Sequence, residues 1–180
     1  MKRGWAVAAL GGVVACAGAG PYGHASHYEP AAAERDAVAD AREYETARIR
    51  GRPDDQRQGK VALFGVVETR EVGAAGQALL KLSVRTLEPN NTCERAGDDE
   101  SCRVTVADQD FGIVWALVAL RAEDDVGPQA VGQHSLVRIV GTLAQDVSPT
   151  DGAPIVHGTW YRQWPSTEYV TRRVVRAAGP

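Results

Sequence analysis

Residues 78–87, Ala78-Leu79-Leu80-Lys81-Leu82-Ser83-Val84-Arg85-Thr86-Leu87, alternate apolar and polar side chains, with Leu80, Leu82 and Val84 on one side and Lys81, Ser83 and Arg85 on the other. A period of two belongs to a strand with one buried and one wetted face. Upstream, Val61 to Val72 reads as a strand with Gly65 at its middle, where a bulge or sharp bend is expected. Downstream, Cys102 to Val106, Leu136 to Asp146 and Ile155 to Trp164 read as further strands, the last two joined by the turn Ser148-Pro149-Thr150-Asp151-Gly152. Phe111 to Leu120 is nearly continuous apolar sequence. Periodicity does not separate a doubly buried strand from a buried helix there, but its β-branched residues and Gly112 favour a strand.

The chain before Lys60 has a different chemistry. Ala17 to Pro30 is Gly, Ala, Pro, Ser, His and Tyr without periodicity, the composition of a flexible tether. Ala31 to Arg50 is rich in Ala, Glu, Asp and Arg and holds no Gly or Pro, which predicts one N-terminal helix with a thin apolar stripe of Val38, Tyr44 and Ile49. Gly51-Arg52-Pro53-Asp54-Asp55 ends it. The expected organisation is therefore a leader over residues 1–15, a tether and charged helix over 16–59, and a β domain with a C-terminal tail over 60–180.

Five or six strands in about a hundred residues suffice for one core. Their order, Gly65 inside the first strand, the irregular connection Arg121 to Ser135 and the pair Ser135–Gly141 and Ile155–Tyr161 resemble the oligonucleotide/oligosaccharide-binding barrel, the OB-fold. The fold class expected is mainly β, a small five- to six-stranded OB-like barrel. An immunoglobulin-like sandwich or a small open sheet fits the same pattern of strands. The resemblance implies a ligand framed by the loops at Gly73 to Gln77 and Ser148 to Ala153.

Lys2 and Arg3 followed by the apolar stretch Trp5 to Ala15 have the form of an export signal, too short to span about 30 Å of hydrocarbon. Val13-Val14-Ala15-Cys16 resembles the lipobox of bacterial lipoproteins, which implies lipidation of Cys16 and removal of the residues before it. An ordinary secretory signal cut near Ala17 or Gly18 is the alternative. Ala17 in place of an aspartate implies, by the same resemblance, a lipid anchor in the outer membrane facing the periplasm. In such an oxidising compartment Cys93 and Cys102 are expected to pair as a disulfide, worth about 2–3 kcal/mol.

The net charge is −3, and removing Lys2 and Arg3 from the 20 basic residues leaves 18 against 23 acidic ones, or −5. Phosphate neutralisation dominates nucleic-acid binding, so this balance argues against a nucleic-acid partner. No hydrolase signature, glycine-rich phosphate loop or CxxC unit is present, so no enzyme, cofactor or metal is expected. His24 and His27 lie in the tether, and Asp98-Asp99-Glu100 lacks the spacing of a calcium loop.

Trp160, Tyr161, Trp164 and Tyr169 are the candidate ligand-binding residues, because aromatics beside a polar loop can stack on sugar rings or a peptide. Neighbours in a strand face opposite ways, so one of Trp160 and Tyr161 should point outward. The function expected from sequence is a membrane-anchored, non-catalytic cell-envelope lipoprotein that meets a glycan or protein partner through its barrel. A structural or stress-related lipoprotein with a protein partner alone is the second reading.

Overall fold

The alternation at residues 78–87 is realised in the computed structural model, which describes residues 24–27, 30–46, 59–73, 77–93 and 103–173. Strand β4 (Ala78–Arg85) turns Leu80, Leu82 and Val84 into the core and Lys81 and Arg85 outward. It pairs antiparallel with β3 (Lys60–Val72) on one side and with β7 (Ile113–Val118) on the other. Strand β7 runs parallel to β9 (Pro154–Trp164), and β9 is antiparallel to β8 (Leu136–Val147). Strand β8 then pairs back onto β3, Val61 opposite Gly141 and Val66 opposite Leu136. The five strands close in the order β3-β4-β7-β9-β8, an OB-like barrel.

The inward positions form one cluster, with Val61, Leu63, Leu80, Val114, Ile139 and Val156 among its buried members. Within Phe111 to Leu120, Ile113–Val118 is a strand with both faces covered: Val114, Ala116 and Val118 are in the core, while Trp115 on the other face is also buried. Gly65 does not mark the bend in β3. The register shifts between Val67 and Thr69, whereas a Cβ on Gly65 would lie 2.9 Å from the Cβ of Leu82. Gly65 is thus a point of close approach between strands. The turn after β8 is closed by Ser148 N–H donating to Ala153 O and Gly152 N–H to Ser148 O, with Gly152 at φ +70°.

A second sheet lies outside the barrel. Between β4 and β7 the chain makes β5 (Leu87–Cys93) and β6 (Arg103–Ala107), flanked by β1 (His24–His27) and by β10 (Tyr169–Arg172), which runs parallel to β6. Outward-facing Phe64, Leu136 and Trp164 meet Val104 and Val106 in a separate apolar cluster that joins the two sheets. The basic C-terminal segment, expected as a tail, is an ordered strand through Arg172.

The N-terminal helix is shorter than propensity predicts: α1 spans Ala32–Val38, and the chain then becomes β2 (Ala41–Glu43), parallel to the start of β3. Tertiary packing overrides propensity here, since Tyr44 enters the barrel core and its N–H donates to Ala62 O. Helix α1 docks on the barrel through Glu34. Cys16, the leader and Cys102 lie outside the described residues, as does the side chain of Cys93, so the lipidation and the disulfide expected from sequence lie there too.

In β8 the register against β9 shifts between Val140 and Gly141, and a Cβ on Gly141 would lie 2.2 Å from His157 O and 2.8 Å from Gly158 Cα. Both are backbone atoms that cannot rotate away. Gly141→Ala should therefore destabilise the barrel by about 1–3 kcal/mol in urea unfolding, whereas Gly132→Ala, with Ala130 O at 3.8 Å as its nearest neighbour, should stay within about 0.5 kcal/mol.

Candidate ligand-binding face

Cross-strand pairing places Lys81 of β4 directly opposite Trp115 of β7 on the outer face of the barrel. The loop of residues 148–153 folds over this pair. Trp115 Nε1 donates to both carboxylate oxygens of Asp151, at 3.0 and 3.2 Å, which leaves Trp115 only 5% exposed. Lys81 Nζ is 3.3 Å from Asp151 Oδ2, 3.9 Å from Glu68 Oε2 and 5.8 Å from the centre of the Trp115 ring. Burial pushes the Asp151 carboxyl up, but hydrogen bonds from Trp115, the Ala153 amide, Ser148 and Lys81 outweigh it and hold the pKa at about 2. Asp151 is a charged latch between a loop and a strand face.

Beside the latch lies a groove of about 570 Å³, bounded by Tyr44, Thr46, Lys81, Ile113, Asp146 and Asp151. Ile113 of β7, Leu143 and Val147 of β8 and residues 151–153 of the loop complete its lining. Arg85, further along β4, is turned away from the groove: Nη1 donates to the carbonyls of Asp108 and Ala107. Among the described residues, Lys81 is therefore the cation that lines the groove.

The four aromatic candidates do not form one patch. Tyr161 is the inward member of its pair, buried in the core, with its hydroxyl donating to Asp124 and accepting from the Arg121 N–H at 2.8 Å. Burial and the neighbouring carboxylate raise its pKa. Asp124 sits in the short helix α2 (Ala122–Asp125); burial raises its pKa, and hydrogen bonds from Tyr161, Arg121 and Gln163 pull it below the ordinary range. This network ties the connection between β7 and β8 to the barrel end, which is a structural role.

Trp160 faces outward and is half-buried beside Ala33 and Ala37 of α1. Trp164 is buried against Phe64, ring centres 5.9 Å apart, under the second sheet. Tyr169 donates from its hydroxyl to His134 O at 3.0 Å. Strand register brings Lys81 and Trp115, which sequence reasoning did not single out, against Asp151 of the 148–153 loop. The signal available was register: once Phe111 to Leu120 is a strand next to residues 78–85, Trp115 must face the side opposite Val114 and Ala116.

No family model matches the chain, and no curated protein matches it. Among solved structures, 58% of this chain is similar to the small single-stranded DNA-binding protein from Streptomyces coelicolor, with 21% identity, a TM-score of 0.33 and 91% of that chain covered. The protein priB from Ralstonia solanacearum matches the same share at 15% identity, TM-score 0.31, with 97% covered. A deletion mutant of the single-stranded DNA binding protein from Thermus aquaticus matches it at 17% identity, TM-score 0.31, with 49% covered. At these identities the likeness concerns the fold.

The expectation of an envelope lipoprotein that meets only glycan or protein, with nucleic acid excluded, is corrected by these matches, two of which are single-stranded DNA-binding proteins. The physical fault lies in the charge argument. A net charge of −3 is a sum over the whole chain and does not describe the potential at one face.

The latch has a pH signature. Because the folded pKa of Asp151 lies below the ordinary value of 3.8, its contribution is complete above about pH 4 and is lost as pH falls toward 2. Wild-type Tm should fall more steeply over that window than the Tm of Asp151→Asn, measured by circular dichroism at matched ionic strength; equal slopes would remove the latch.

Proposed function

We propose that the chain is a non-catalytic OB-type binding module that takes a short stretch of single-stranded nucleic acid on the outer face of β4 and β7, beneath the 148–153 loop. The observation that carries this reading is the Lys81–Trp115 pair, a cation next to an aromatic ring on the barrel face that OB-folds use, with a groove alongside. A single strand needs those two things: a donor for phosphate and a flat apolar surface for a base.

Asp151 supplies the logic of entry. Its carboxylate takes the indole N–H and the ammonium together, so it stands where a phosphate oxygen would stand. When the loop lifts, Lys81 exchanges one anionic partner for another and Trp115 is uncovered for stacking, worth about 1–3 kcal/mol per base. Since Lys81 is the one cation lining the groove among the described residues, with Glu68 and Asp151 close to it and Asp146 also in the lining, binding should be weak and its salt dependence shallow, about −0.7 in log–log slope for each phosphate neutralised.

Fluorescence anisotropy of a labelled oligothymidylate at low salt tests this. Wild type should bind, and Lys81→Ala should weaken binding about three- to tenfold and flatten the salt slope by about 0.7. Absence of binding at low salt, or a Lys81→Ala variant with unchanged affinity and slope, would overturn the reading.

A further inference from the structure

Glu34 projects from α1, a seven-residue helix without a side-chain cap, and is fully buried although Ala32, Ala33, Arg35 and Asp36 around it are exposed. A helix this short is not stable alone, and a buried carboxylate is costly unless it is paired. Glu34 meets two guanidinium groups: Arg138 Nη1 donates to Oε1 at 2.5 Å and Arg162 Nη1 to Oε2 at 2.8 Å. The half of this arrangement that does not belong to α1 is prebuilt by the barrel. Arg138 of β8 lies 4.7 Å over the Phe64 ring, Arg162 of β9 lies 4.7 Å over the Trp164 ring, and the two rings pack on each other.

Two guanidinium groups fixed over aromatic rings and converging on one pair of oxygens form a receptor for an oxyanion. The buried Nε of Arg138 has no hydrogen-bond partner among the described residues, so Glu34 does not exhaust the donors there. Glu43 adds a further contact to Arg138 Nη2 at 3.2 Å from an exposed position.

We propose that Arg138 and Arg162 form a phosphate-binding site that α1 occupies in cis with Glu34, so that release of α1 opens a second anion-binding face on β8 and β9. The site follows from the arginine geometry; that its phosphates come from a nucleic-acid strand rests on the proposed function above. Tethering gives the Glu34 carboxylate a high effective concentration at the site, so in the intact protein it excludes dilute phosphate.

The full-length chain can be titrated with inorganic phosphate against chloride at constant ionic strength, followed by thermal shift and calorimetry. Glu34→Gln, which keeps the size and removes the charge, should bind phosphate at least tenfold more tightly than wild type, with a rise in Tm that wild type lacks. Adding Arg162→Gln, at a side chain 36% exposed, should abolish the gain. If Glu34→Gln does not fold in chloride, recovery of its far-ultraviolet spectrum in phosphate, lost again with Arg162→Gln, supports the same site. Equal phosphate affinity in wild type and Glu34→Gln, or a gain indifferent to Arg162→Gln, overturns it. Such a failure leaves the Lys81→Ala experiment on the oligothymidylate unaffected, so the two ideas fall separately.

Discussion

From Lys60 to Val67 the backbone of β3 is satisfied along both edges, and much of the molecule is arranged around that pairing. Its first half pairs with β8 on one edge and β2 on the other; its second half pairs with β4. A strand of 13 residues that left one edge open would expose a row of unpaired donors and acceptors. Closing β8 onto it turns a sheet into a barrel, and the change of partner from β4 to β2 is what draws the N-terminal segment into the fold. The docking of α1, the burial of Tyr44 and the placement of Glu34 above Arg138 all follow from where β2 must lie.

Both charged sites grow out of this geometry in the same way. The outer face of a closed barrel is exposed by default, so each of its polar patches either stays wet or is covered by another part of the chain. Over β4 and β7 the cover is the 148–153 loop, held by Asp151 on Lys81 and Trp115. Over β8 and β9 it is α1, held by Glu34 on Arg138 and Arg162. In each case a carboxylate from a loop or a short helix neutralises cations fixed on strands.

The strands were legible because their information is local: the alternation of residues 80–85, the apolar run at 111–120 and the turn at 148–152 each speak for themselves. Helix α1 was misjudged in length because alanine-rich sequence reports propensity, while the contact that stops it is made by Tyr44 with a strand that begins sixteen residues later. The sites were less legible still. Lys81 and Asp151 are 70 residues apart in the chain, and Glu34 and Arg138 are 104 apart, so no window of sequence contains either pair. The aromatic cluster at 160–169 looked like a site because it is compact in sequence, yet strand alternation sends Tyr161 into the core and Trp160 out of it.

The second sheet joins parts of the chain that are far apart in sequence. Strands β5 and β6 are joined by a short connection, whereas β1 comes from one region of the chain and β10 from another more than 140 residues away. Long-range strand pairing carries a loop-closure cost that local pairing avoids. Within the outer sheet the β5–β6 pairing therefore carries the smaller loop-closure cost, and the pairing of β10 with β6 spans a longer stretch of chain. The outer sheet thus ties a segment that precedes all five barrel strands in the chain to one that follows them, a clasp closed from both ends of the barrel sequence.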